Sequence, residues 1–374
     1  MQSEPDQLSV LMDFKPILLV LLVIRPAQTT TADYDYGGIP LRINRLRGEP
    51  SVLSLWDRIE PGWFRSVNPQ VCPAECDCPI QWPSAIYCDH RAMHQLPASL
   101  PPRTQYLFLQ RNNISGIGAN AFGNSTHLRW LLLDHNQLVN DQVAHSAFSN
   151  LSYLEILFMN HNNLTAIPTG LPDGLRQLRL AHNQIQKISP RAFQNLQNLT
   201  LLLLQGNQLK VISDEDFTGL LSLNLLDLSQ NHLEEFPKHL PPAVQQLYLS
   251  NNSLRSLGDD SLHGFHSLRY LRLGRNRLQS SSLSAGAFNL SSLVELDLSY
   301  NQLTSTPTVP TTLQYLYLEV NLIHEFNVSS FCRADGTADY SRLRILRMEG
   351  NRMAYHQLPS DWVMCLRVIH RIYI

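Results

Sequence analysis

The sequence predicts a leucine-rich-repeat solenoid, with short parallel β-strands on a concave face, irregular turns on the convex face and a disulfide cap at each end. Three observations predict it. An eleven-residue leucine template recurs along the chain, six cysteines bracket the recurrences, and a short apolar run stands near the start.

The template is L-x-x-L-x-L-x-x-N-x-L. Clear copies are LRWLLLDHNQL (128–138), LRQLRLAHNQI (175–185), LNLLDLSQNHL (223–233) and LVELDLSYNQL (293–303). Further copies begin at Thr104, Leu154, Leu199, Val244, Leu268, Leu313 and Leu343, which makes eleven. A degenerate twelfth is expected around Ile86–Leu96. Successive copies start 24, 26, 21, 24, 24, 21, 24, 25, 20 and 30 residues apart, so short copies fall at every third step. The x-L-x-L-x centre reads as a strand whose side chains alternate between core and surface. The repeated asparagine, as in Asn136, Asn183, Asn231 and Asn301, stands where the chain turns. Its amide can pair backbone groups of adjacent coils that would otherwise be buried without partners.

Cys72, Cys76, Cys78 and Cys88 precede the repeats, Cys332 and Cys365 follow most of them, and none lies between residues 89 and 331. An even number of cysteines suits disulfides in an oxidising compartment. A solenoid exposes core at both raw ends, and the two groups stand where caps are needed. The long last interval contains Cys332, so a bridge to Cys365 would lock that end.

Lys15 precedes the apolar run Ile17–Ile24, which is shorter than the roughly 20 residues of a membrane span. It reads as a secretory signal cleaved near Ala32, and no membrane insertion is expected. The domain reading is a signal peptide at 1–32, a flexible N-terminal arm at 33–71, a cysteine-rich cap at 72–103, repeats at 104–342 including an enlarged penultimate one, and the last repeat with a C-terminal cap at 343–374. The net charge of −2, without a basic run of five, argues against nucleic acid as partner.

The C-x3-C-x-C-x9-C cluster, the short-long-long repeat order, the enlarged penultimate repeat and the final cysteine pair resemble the class II small leucine-rich proteoglycans over residues 72–374. Local strings such as PSAIYCD (83–89) and YLEVN (317–321) carry the same resemblance. It implies a secreted extracellular-matrix protein that binds fibrillar collagen and regulates fibril assembly, with keratan sulfate or simpler glycans on repeat asparagines. It also implies pairing of Cys72 with Cys78, Cys76 with Cys88, and Cys332 with Cys365. The chain departs from the family in two places. The arm keeps only Tyr34 and Tyr36 as candidate sulfotyrosines, and Arg352 and Ala354 follow the last repeat asparagine, where a family collagen contact has an acid and a base.

Eight N-x-S/T sequons occur, at Asn113, Asn124, Asn150, Asn163, Asn198, Asn251, Asn289 and Asn327. Asn163, Asn198, Asn124 and Asn289 are the best placed, on shoulders and turns, while Asn113 and Asn251 crowd against turn asparagines. Ser115-Gly116 matches a xylose-linkage motif without its usual acidic neighbours. Cys88, His90 and His94 have a zinc-like spacing, yet an oxidised cap with surface histidines explains them better. With no hydrolase, metalloprotease or nucleotide-binding motif, the chain reads as a binder rather than an enzyme, without cofactors.

The outward positions of the strands assemble the expected binding face. They supply Arg176, Arg179, Tyr248, Arg269, Tyr270, Arg272, Arg275, Glu295, Asp297, Tyr315, Tyr317 and Arg347, with Tyr106, Phe108, Trp130 and Phe158 nearer the start. Tyr, Trp and Arg are enriched at binding hot spots. A face carrying both signs of charge suits collagen, which displays both signs and proline rings, with Arg269, Arg272 and Arg275 as its densest basic cluster. The same face could instead hold a growth factor or a cell-surface receptor.

Overall fold

The computed structural model describes residues 72–79, 82–123, 125–258, 260–332 and 340–374. The expected signal peptide, the arm with Tyr34 and Tyr36, and Asn124 lie outside the described residues. Among the described residues, thirteen three-residue strands form one sheet, stacked in chain order. They are β1 (Ala85–Tyr87), β2 (Tyr106–Phe108), β3 (Trp130–Leu132), β4 (Ile156–Phe158), β5 (Gln177–Arg179), β6 (Leu201–Leu203), β7 (Leu225–Asp227), β8 (Gln246–Tyr248), β9 (Tyr270–Arg272), β10 (Glu295–Asp297), β11 (Tyr315–Tyr317), β12 (Ile345–Arg347) and β13 (Arg371–Tyr373). Every neighbouring pair is parallel, and the central leucines of the template stand in register, Leu178 beside Leu202 and Leu202 beside Leu226.

Template positions 3 to 5 are the strand. Position 4 points inward, so Leu131, Leu178, Leu226, Leu296 and Leu346 are completely buried. A single coil could not cover these leucines. Stacking them makes one continuous core that runs the length of the molecule.

Position 9 is an asparagine ladder. Asn231 is typical. Its Nδ2 donates to the carbonyls of Leu204 and Leu228, each at 3.0 Å, and its Oδ1 accepts from the amide of Leu209 at 3.0 Å. One side chain thus ties its own coil to the preceding one at two points. Position 8 holds a second ladder with no obvious sequence mark. His90, Arg111, His135, His161, His182, Gln230, Asn251, Arg275, Tyr300 and Val320 all adopt positive φ between 51° and 57°. That conformation is costly for L-residues. The amide of each donates to the next coil, for example His161 N to Ala181 O at 2.9 Å, so the turn extends the interstrand ladder.

The caps close as the resemblance implied. Cys72 pairs with Cys78, Cys76 with Cys88, and Cys332 with Cys365. Asp77 forms an antiparallel bridge to Tyr87 that covers the outer edge of β1, and the Arg91 guanidinium pairs with the Asp77 carboxylate. Two details correct the sequence reading. Ile86 pairs with Leu107 and therefore occupies template position 4, so the degenerate first copy begins three residues before Ile86. A further strand, β13, follows the short helix α1 (Trp362–Cys365) and continues the sheet beyond the last recognised copy. Among the described residues no helix is long and apolar enough to cross a membrane.

Candidate functional site

Positions 3 and 5 of the strands project from the concave side and divide it into three stretches. The first is aromatic. The rings of Trp82 and Tyr106 lie 4.9 Å apart, those of Tyr106 and Trp130 also 4.9 Å, and Tyr87 stacks on Phe108 at 4.6 Å. The stretch ends where the Arg179 guanidinium sits 3.9 Å above the Phe158 ring. The second is aliphatic, with Leu201, Leu203 and Leu225 buried against Tyr248 and packed by Tyr270.

The third stretch is charged and largely paired within itself. Arg272 is completely buried, and its Nε and Nη2 donate to Glu295 Oε1 at 3.1 and 2.9 Å. Its guanidinium lies 4.5 Å from the Tyr248 ring, and the Tyr248 hydroxyl donates to Gln246 at 2.8 Å. Asp297 accepts from the Ser299 amide and hydroxyl at 2.8 and 2.6 Å. Four of the twelve expected face residues, Tyr248, Arg272, Glu295 and Asp297, are therefore buried and internally bonded. Parallel neighbours are only about 4.8 Å apart, so large outward side chains on successive strands cover one another. Arg176, Arg269 and Arg347 are exposed, while Arg179, Tyr270, Arg275, Tyr315 and Tyr317 are half-buried. The supposed basic cluster thus separates. Arg269 faces solvent, Arg272 is inside, and Arg275 stacks 3.9 Å above Tyr300 at the rim.

Toward the C-terminus Arg347 binds Glu319 at 2.9 Å and Glu349 at 3.0 Å. Burial pushes the Glu319 carboxyl up to about 7, against the pull of Arg347. The folded value lies above the ordinary 4.5, so the folded state holds this proton longer than the unfolded chain. The contribution of Glu319 to stability is present below the ordinary value and is lost as pH rises through about 7. Glu319→Gln is therefore expected to melt at a higher temperature than the parent at pH 8 and at the same temperature at pH 4. Equal shifts at the two pH values in circular dichroism melts would refute the assignment.

At the rim, position 8 brings three imidazoles into a stack. His135 and His161 lie 4.2 Å apart and 7° from parallel, and His161 and His182 lie 4.4 Å apart at 12°. Burial within the stack and the flanking His182 and His135 lower His161 to about 4. His135 is lowered by burial, by Arg111 and by His182. Gly206 ends the stack, because a Cβ there would collide with the His182 ring. Parallel rings point their nitrogens side by side instead of at one centre. Among the described residues no group of three or more His, Cys, Asp or Glu is placed to hold a metal ion. Cys88 is in a disulfide, so the zinc-like spacing lacks its thiolate. The stack joins histidines 26 and 21 residues apart, and only the shared template position could have signalled it.

Asn150, Asn163, Asn198 and Asn289 are exposed, and Asn113, Asn251 and Asn327 are half-buried. Gln137 Nε2 donates to Asn113 Oδ1 at 3.4 Å, and Gln184 Nε2 to Asn163 Oδ1 at 3.3 Å. These bonds engage the carbonyl oxygen and leave the amide nitrogen, the atom that carries an N-glycan, pointing elsewhere. The Asn198 amide donates to Asp173 O at 3.2 Å.

Strands, asparagine ladder and caps define the class as a leucine-rich-repeat protein. The Leucine rich repeat family model matches residues 99–138, 173–233 and 236–278, and a second one matches residues 292–311. Lumican of Coturnix japonica is 45% identical over 303 residues, covering 81% of this chain and 88% of lumican. Fibromodulin of Bos taurus is 45% identical over 307 residues, covering 82% and 81%. Human lumican is 44% identical over 302 residues, covering 80% and 88%. The chain belongs to the class II small leucine-rich proteoglycans of the extracellular matrix. Among solved structures, a chain of the octameric complex of Latrophilin 3, Unc5D and FLRT2 (LRR) superposes with a TM-score of 0.65 at 26% identity, covering 80% of this chain and 83% of that one.

Proposed function

We propose that this secreted proteoglycan binds fibrillar collagen through its concave face and regulates fibril assembly and spacing. The observation that carries the reading is the accessible part of that face. Aromatic rings, the exposed Arg176, Arg269 and Arg347, and the half-buried acids Glu319 and Glu349 are distributed along that face. That composition matches a rod that displays imino acids and both signs of charge. The exposed sequons Asn150, Asn163, Asn198 and Asn289 stand outside the strands, so glycans there, including keratan sulfate, would keep neighbouring fibrils apart without covering the face.

The test is co-pelleting of the purified protein with assembling fibrillar collagen, followed by turbidity. The parent is expected in the pellet, with altered fibril growth. An Arg176→Ala, Arg269→Ala, Arg347→Ala variant is expected to bind about tenfold more weakly. A parent that stays in the supernatant while fibrils grow unchanged would overturn the proposal. A second reading, a soluble binder of growth factors or cell-surface receptors, is favoured by the likeness to a chain that stands in a complex with other proteins. That reading expects saturation by one soluble protein ligand and no retention on fibrils.

A further inference from the structure

The aromatic stretch at the N-terminal end of the concave face has a chemistry and a spacing of its own. We propose that it is a docking site for an uncharged, imino-acid-rich segment in the polyproline-II conformation, lying across the strands. The inference rests on the collagen reading and assigns it a particular place and a particular stretch of ligand.

Spacing is the first argument. The ring centroids of Trp82 and Tyr106 are 4.9 Å apart, as are those of Tyr106 and Trp130, which stand opposite each other on neighbouring strands. Two steps between neighbouring strands amount to about 9.6 Å. One turn of a polyproline-II helix is three residues of about 3.1 Å each, or about 9.3 Å. A proline ring at every third residue would therefore meet an indole at alternate steps, with Tyr106 between them, tilted 45° to Trp82 and edge-on to Trp130.

Charge is the second. No charged residue stands at positions 3 or 5 of β1 to β4, and the first, Arg179 in β5, covers Phe158. Beside this stretch Arg129 is paired with Glu155 at 2.8 Å. A charged segment would lose solvation here and gain no partner. An uncharged one has no charge to desolvate.

Hydrogen bonding is the third. Strands β2 to β4 are paired on both sides, so an added β-strand finds no open edge. A polyproline-II segment makes no internal hydrogen bonds, and its carbonyls need donors. The indole N–H groups of Trp82 and Trp130 supply them. Aromatic rings also stack on sugars, but a sugar's hydroxyls need polar neighbours, and the side chains between these rings are those of Ala85, Phe108, Leu132 and Ile156.

The experiment titrates the full-length protein with a triple-helical Gly-Pro-Hyp peptide of about ten triplets, following tryptophan fluorescence. Co-pelleting with collagen fibrils is measured in parallel. The peptide is expected to saturate and to shift the emission. Trp130→Ala is expected to bind it about tenfold or more weakly, and Trp130→Phe, which keeps a ring, to recover most of the loss. Melting curves of both variants separate binding loss from unfolding. If the parent pellets with fibrils and the peptide binds Trp130→Ala as well as it binds the parent, the docking site is wrong and the collagen reading stands. If the parent binds neither fibrils nor peptide, both fall. A shift produced by a neutral oligosaccharide such as cellohexaose, with none from the peptide, also overturns the docking site.

Discussion

Asn231→Ala is expected to destabilise the protein by about 3–6 kcal/mol, seen as a lower midpoint in guanidinium denaturation. The substitution deletes the donor shared by the Leu204 and Leu228 carbonyls and the acceptor of the Leu209 amide. All three backbone groups are buried between coils. Each buried group left without a partner costs about 1–3 kcal/mol. Asn231→Asp is expected to be at least as damaging, since a carboxylate has no N–H to offer the two carbonyls. Lys210→Ala, an exposed change in the coil before, should stay within about 0.5 kcal/mol of the parent. A loss below about 1 kcal/mol for Asn231→Ala would mean that water replaces the amide, and that the ladder is not what joins the coils.

The second large effect is expected at Arg272. Arg272→Met should cost about 3–5 kcal/mol, because it leaves the Glu295 carboxylate buried without its main cation. Adding Glu295→Leu removes the stranded charge and is expected to recover at least half of that loss, as measured by a double-mutant cycle. The interest of this pair is functional as well as energetic. Arg272 and Glu295 are almost wholly covered by their neighbours. The double variant should therefore pellet with fibrils within about twofold of the parent, in contrast to the exposed arginine triple. Lost fibril binding in a folded double variant would show that the buried pair shapes the accessible face around it.

The core was legible because a leucine at position 1, 4, 6 or 11 has one place to go whichever coil it belongs to. The asparagine was legible for a related reason. A short amide repeated at every turn of a buried backbone has an obvious task, and Asn112 through Asn351 perform it with nearly the same bonds. The left-handed position was hidden. Sequence reasoning looks for glycine where φ is positive, and His135, Gln230 and Val320 stand there instead, held by the amide bond to the next coil. β13 was hidden as well, because Ile372 and Ile374 carry only a fragment of the template, and pairing with β12 completes the strand.

By itself the sequence determined the architecture, the repeat register from Thr104 onward, the positions of the caps and the set of side chains that point outward from the sheet. Those properties depend on periodicity within a coil, which is local. Only the tertiary structure decided which outward side chains remain available. It buried Arg272, Tyr248, Glu295 and Asp297, left Arg176, Arg269 and Arg347 in solvent, and brought three histidines and a row of aromatic rings into contact. The physical reason is the spacing between strands. Residues about 4.8 Å apart in space lie one repeat apart in the chain, so accessibility depends on the sizes and charges of side chains in two or three coils at once.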